Sequence, residues 1–121
     1  MFLELAHTKL DIFSVSREFV LNCYKETKFF PNDEKFALTQ QIRRAAVSVH
    51  LNLAEGSSRK SLSERKRFYE ISRGSVIEID TAFDIAAGLE YVTKEKLQHT
   101  GNLLIRTFQM LSKMIAQAHA G

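Results

Sequence analysis

Residues 93–118 read TKEKLQHTGNLLIRTFQMLSKMIAQA, and within them Leu97, Gly101, Leu104, Phe108, Leu111, Ile115 and Ala118 recur at steps of four and three. Positions spaced this way fall on one side of an α-helix, so the pattern predicts a helix over about 94–118 with Thr93 as its cap. Leu103, Ile105, Met110 and Met114 lie outside that seam. The helix is therefore apolar on more than one side, and the surplus predicts self-association.

Working back along the chain, Ser61 and Glu64 have the spacing of a capping box and open a second periodic segment over about 62–88, with Phe68, Ile71, Ser75, Ile79, Ala82 and Ala86 on its stripe. Gly74 falls in mid-course. A glycine inside a helix costs about 1 kcal/mol relative to alanine, which predicts a close helix contact there. Before it, Leu38, Ile42, Ala45, Val49 and Leu53 mark a helix over about 34–55, with Gly56 placed to close it in the left-handed conformation. The first helix spans about 8–28, with Thr8 and Asp11 in capping-box spacing and Ile12, Val15, Phe19 and Cys23 on the apolar face. Phe29-Phe30-Pro31-Asn32-Asp33 breaks the pattern, because proline cannot continue a helix. Short connections force consecutive helices to run antiparallel. The expected fold is all-α: one domain over 1–121, an up-down-up-down four-helix bundle.

Composition agrees. The 121 residues are 45% hydrophobic and 26% charged, close to folded proteins and far from disordered ones. One proline and five glycines are too few for a fold of many strands and tight turns. No apolar run reaches the roughly 18 residues that cross a bilayer. The first ten residues do not read as a secretory leader, and Cys23 is the sole cysteine, so the expected setting is cytoplasmic and no membrane partner is implied.

Net charge is +3, and it is unevenly spread. Between Gln41 and Arg73 stand eight basic residues (Arg43, Arg44, Arg59, Lys60, Arg65, Lys66, Arg67 and Arg73) against three acidic ones (Glu55, Glu64 and Glu70). These eight are the candidate nucleic-acid-binding residues. The cluster from Arg59 to Arg67 surrounds the start of the third helix, where free backbone amides and the helix dipole also attract anions. Phosphate contacts of this kind bind RNA or DNA with strong salt dependence and little sequence preference. The same charges would equally serve to solvate a helix entrance, with Glu64 and Glu70 pairing locally.

Three segments carry a family resemblance: residues 36–56, FALTQQIRRAAVSVHLNLAEG; Arg59-Lys60-Ser61; and residues 68–79, FYEISRGSVIEI. Residues 24–31, YKETKFFP, and 88–92, GLEYV, add to them, and the match extends over nearly the whole chain. The chain resembles the bacterial four-helix-bundle family encoded in intervening sequences of 23S rRNA genes. That resemblance implies a cytoplasmic homo-oligomer, with a pentameric ring as the form, and no catalytic residues. His50 stands where the family often has proline, which implies a straighter second helix. A more distant similarity is to the bundle-shaped accessory proteins of diversity-generating retroelements, which work with a reverse transcriptase.

Other groups read as structural. Asn52 and Glu55 lie beside the stripe of the second helix, where a partly buried carboxylate needs a cation such as Arg44 or Arg73. Adjacent Arg43 and Arg44 point about 100° apart, so one is free to pair with a carboxylate. A carboxylate-bridged metal centre in a bundle needs two Glu-x-x-His pairs, and Glu4-Leu5-Ala6-His7 alone has that spacing. His50, His99, His119 and Cys23 are isolated along the chain. No metal, cofactor or small-molecule substrate is implied. Tyr69 and Phe68 sit beside the basic cluster, and one of them can stack on an unpaired base. The expected function is that of an oligomeric, non-catalytic module engaging nucleic acid, or a nucleic-acid-processing partner, through the connection between the second and third helices. A purely structural scaffold is the alternative.

Overall fold

The computed structural model describes residues 1–120, and side chains through Ala118; the side chain of His119 lies outside the described residues. Four helices carry the fold: α1 (Asp11–Thr27), α2 (Leu38–Ser58), α3 (Leu62–Gly88) and α4 (Gln98–Ala120). α1 packs on α2 and α4, and α3 packs on the same two from the other side. Neither diagonal pair, α1 with α3 or α2 with α4, brings its backbones close together among the described residues. This is the neighbour pattern of an up-down-up-down bundle with short connections.

The tightest pair is α2 with α3, and small residues make it so. Ser72 donates to the Val49 carbonyl at 2.7 Å, and the hydroxyls of Ser48 and Ser75 meet at 2.9 Å. Ala45, Ala46 and Ser72 are buried, so little side-chain bulk separates the two axes.

Helix ends follow local chemistry, and several differ from the periodicity. The Thr8 hydroxyl donates to the Leu5 carbonyl at 2.7 Å in a short 3-10 helix, Ala6–Lys9, and α1 starts only at Asp11. Pro31 opens another 3-10 turn, Asn32–Glu34, which delays α2 to Leu38; Ala37 is the N-cap residue, and Glu34 Oε2 accepts from the Leu38 amide at 3.1 Å in place of a capping side chain. Ser61 caps α3 as its spacing predicts, accepting from the Glu64 amide at 3.1 Å. Thr93 accepts from the Lys96 amide at 3.2 Å, capping a turn that leads into α4. α3 closes with Glu90 in the left-handed region, φ 65°, while the Tyr91 and Glu90 amides bond the Ala86 and Ala87 carbonyls. That is a Schellman closure with glutamate in the usual glycine position.

One core joins all four helices. Phe19, Ile42, Val49, Leu53, Val76, Ile79 and Leu111 are its largest fully enclosed apolar side chains. On α4 the enclosed stripe is Thr100, Leu103, Thr107, Leu111, Ile115 and Ala118. The seam predicted through Gly101, Leu104 and Phe108 is thus rotated outward in its first half, where it borders α3. A straight helix drifts about 20° per heptad against a 3.5-residue repeat, so one seven-residue seam cannot stay central along a long helix. Thr107 is admitted because its hydroxyl bonds the Leu103 carbonyl at 2.7 Å, satisfying the polar atom inside. α3 is rotated likewise: Tyr69, Ser72 and Val76 are inside, and Ile71 is exposed.

Two glycines exchange the roles their positions suggest. Gly74 is exposed, with nothing within 4 Å of where a Cβ would stand. Gly56 stays helical inside α2, and a Cβ there would lie 2.8 Å from Tyr69 Cε1 and 3.0 Å from Phe68 Cβ. The close contact is therefore at Gly56. No described glycine has positive φ, so Gly56 does not close the helix in the left-handed form.

Candidate functional site

The connection between α2 and α3 is three residues long, Arg59 to Ser61, and places five cations, Arg59, Lys60, Arg65, Lys66 and Arg67, at one end of the bundle. Three of them have carboxylate partners on the same helices: Arg59 with Glu55, Lys66 with Glu70 at 4.0 Å and Arg67 with Glu64 at 3.7 Å. These pairs lie at the surface with their side chains between a third and three-fifths exposed, so they add little stability and can be exchanged for an anion. Arg65 spends its Nε on the Arg59 carbonyl at 2.6 Å, which fixes the turn and leaves its charge without a carboxylate. Lys60 is exposed and has no carboxylate partner among the described residues. The turn therefore keeps an excess of two positive charges beside the N-terminal amides of α3.

Phe68 is the centre of this arrangement. The Arg59 guanidinium lies 5.0 Å and that of Arg67 4.6 Å from its ring centroid, within cation–π range. Tyr69 is buried, and its hydroxyl meets that of Ser57 at 3.2 Å. The expectation that Phe68 belongs to the core stripe is thus corrected: Tyr69 takes the enclosed position, and of the two rings Phe68 is the one a base could approach. A base reaching the half-buried Phe68 would meet rings already engaged by two arginines. Arg65 also borders a cleft of about 360 Å³ that His7, Ser57, Tyr69 and Gln117 line.

The other three candidate cations lie elsewhere. Arg43 donates from Nε to Thr27 Oγ1 at 2.8 Å and from its terminal nitrogen to the Tyr24 carbonyl at 3.3 Å, with its guanidinium over the Tyr24 ring. It ties α2 to the end of α1 and pairs with no carboxylate. Arg73 donates to Ser112 at 3.1 Å and leans on Phe108 at 5.8 Å, tying α3 to α4. Arg44 is exposed, more than three helical turns from the α2–α3 connection. Asn52 donates to the carbonyl and hydroxyl of Ser48, at 2.9 and 3.0 Å, where Ser48 meets Ser75 of α3. Glu55 is exposed and pairs with Arg59, so the partly buried carboxylate beside Arg44 or Arg73 is not present; its angle on α2 points outward from the core stripe.

His50 is half-buried and packed. Its Nδ1 lies 2.7 Å from Ser16 Oγ, and its ring is 4.3 Å from that of Phe13, which His7 meets from another direction. Burial lowers its pKa from 6.5, and the nearby positive charge of Arg17 and the ring of His7 act in the same direction. The folded state thus binds its proton less readily than the unfolded chain, so this contribution is present above the ordinary value of 6.5 and is lost as pH falls through the folded value. Thermal melts at neutral and mildly acidic pH should show a drop on acidification that His50→Gln reduces; an equal drop in both proteins would show that the imidazole is not coupled to folding. Cys23 is buried, which pushes its thiol well above its ordinary value, with Glu26 adding to the shift, and it is poorly suited to act as a nucleophile. Among the described residues no three His, Cys, Asp or Glu side chains gather to hold a metal. No helix among them is long and apolar enough to cross a membrane.

The family model described as 23S rRNA-intervening sequence protein matches residues 8–113, which include α1, α2, α3, the basic turn and α4 as far as Lys113. The chain belongs to this family. Among solved structures, the family member is similar to a protein of unknown function from the S23 ribosomal protein family of Bacteroides thetaiotaomicron. The two share 23% sequence identity and superpose with a TM-score of 0.79, over 86% of this chain and 97% of the other. At that identity the likeness establishes the bundle and nothing about ligands. No curated protein matches the chain significantly.

Proposed function

We propose that this chain is a non-catalytic, homo-oligomeric binding protein that engages the phosphate backbone of nucleic acid through the α2–α3 turn. The observation that carries this reading is the excess of charge at Lys60 and Arg65, beside three more cations whose carboxylate partners are solvent-exposed and exchangeable. An excess of two per protomer is small. Several copies arranged in a ring, a pentamer by family resemblance, would join these turns into one basic surface whose attraction grows with copy number. Support for self-association comes from apolar groups left on the outside, with Phe29 and Phe36 each 80% exposed and Ile77 and Ile105 each 53%. RNA is the first probe because the family's description names 23S rRNA.

Fluorescence anisotropy with a labelled RNA at about 50 and about 200 mM salt tests the binding, which should weaken more than tenfold between them. Lys60→Glu with Arg67→Glu should weaken it by a further order of magnitude. Both side chains are exposed and neither holds the turn, so folding is preserved. Absence of binding to RNA and DNA at the lower salt removes the nucleic-acid reading. A monomer by light scattering removes the ring. The local neutralisation of Arg59, Lys66 and Arg67 favours the second reading, a structural scaffold whose charges serve solubility; that reading predicts an oligomer with no salt-sensitive RNA binding.

A further inference from the structure

The cyclic packing order α1, α2, α3, α4 places the outer side formed by α1 and α2 opposite the one formed by α3 and α4. On the first side, Arg17, Leu21 and Tyr24 follow at steps of four and three along α1, and Arg44, Val47 and Leu51 at steps of three and four along α2. The two stripes adjoin where the Arg43 guanidinium lies over the Tyr24 ring, 4.9 Å from its centroid. Leu21 and Leu51 stay 52% and 62% exposed, so this side keeps an apolar centre that the chain's own helices leave open. Arg17, Arg43 and Arg44 flank it, and none of them has a carboxylate partner among the described residues.

The opposite side has the same make-up with the sign of charge reversed. A groove of about 550 Å³ runs between α3 and α4, with Ile77, Asp80, Leu104, Ile105 and Phe108 in its lining. Ile77 and Ile105 are more than half exposed. Asp80 and, one turn further along α3, Asp84 are exposed and have no ion-pair partner among the described residues. Arg73, held on Ser112, and Lys94 stand at the two margins, so the negative charge is concentrated midway. Two like sides brought together would set arginine against arginine or aspartate against aspartate. Unlike sides bury apolar groups and pair the charges at the same time.

From this complementarity we infer that copies of the chain associate head to tail, the α1–α2 side of one packing on the α3–α4 groove of the next. Leu21 and Leu51 meet Ile77, Ile105 and Phe108, while Arg17 and Arg44 pair with Asp80 and Asp84. The inference rests on the homo-oligomeric part of the proposed function and assigns its surfaces. Repeated about an axis along the bundles, the contact closes a ring with every α2–α3 turn at the same rim. Charge reversal tests it. Arg17→Glu with Arg44→Glu turns the α1–α2 side negative like its counterpart, and Asp80→Lys with Asp84→Lys turns the α3–α4 side positive. All four side chains are exposed, so both variants fold, which circular dichroism checks. By light scattering over a dilution series, each variant alone should dissociate about tenfold more readily than the parent protein or worse. An equimolar mixture should regain the parent's mass, because each variant then offers the charge the other lacks. Leu51→Ser and Ile105→Ser, which remove apolar contact and leave the charges in place, should each weaken association by about tenfold. A monomeric parent protein overturns the oligomeric reading and this inference together. An oligomeric parent whose mass is lowered by only one of the two reversals or by neither, or a mixture that stays dissociated, overturns the pairing of sides and leaves the oligomeric reading standing.

Discussion

Gly56→Leu destabilises the bundle by about 3 kcal/mol, at the upper end of overpacking penalties, and lowers the melting temperature by roughly 10 °C. Even a Cβ at this position meets Tyr69 Cε1 at 2.8 Å, and Tyr69 is buried against α2 with its hydroxyl on Ser57. The ring cannot swing into solvent without leaving the core, so the backbones of α2 and α3 must part. Replacing a helical glycine recovers less than about 1 kcal/mol, too little to offset this. The strain falls at the turn that carries the five cations, because Phe68, next to Tyr69, holds Arg59 and Arg67 over its ring. Gly74→Ala is the control: with open space around it, the substitution should raise stability by up to about 1 kcal/mol. Equal melting of Gly56→Leu and the parent protein would mean that the close approach does not exist in solution.

Phe19→Ala should cost about 3–5 kcal/mol, through lost transfer energy and the cavity left behind. Phe19 is 0% exposed on α1 and belongs to the core shared by all four helices. Against a total stability of about 5–15 kcal/mol, the loss brings the fold near its limit. Urea denaturation should show a large fall in midpoint with an unchanged slope. Phe36, in the turn just before α2 and 80% exposed, gives the contrast. Its replacement by alanine should change monomer stability by less than about 0.5 kcal/mol, and any larger effect would appear in the oligomeric state instead.

Much of the architecture is legible from residue spacing alone. Ser61 and Glu64 announce the start of α3, Pro31 interrupts α1 and α2, and the four apolar stripes specify a helical bundle. Such features depend on residues within a turn or two of one another. The rotation of each helix about its axis was not legible. Phe68 and Tyr69 are adjacent aromatics that fit the same period, and hydropathy does not choose between them. Tyr69 enters because Gly56, thirteen residues away on another helix, leaves room for its ring. Thr100 and Thr107 count as polar in any stripe, yet both are enclosed, one with its hydroxyl satisfied by its own helix and one without.

The candidate site divides in the same way. A run of basic residues from Arg59 to Arg67 is visible in the chain, and so is its position at a helix start. Which cations remain in excess depends on partners and packing, and Arg43 and Arg73 proved to be ties between helices. By itself, the sequence determined four amphipathic helices, their antiparallel order and the concentration of positive charge at one connection, because periodicity and capping are local. Only the tertiary structure decided which aromatic is core, which charges are neutralised and where α3 and α4 leave a cleft. Those outcomes turn on a few tens of degrees of helix rotation, set by contacts between residues far apart in the chain.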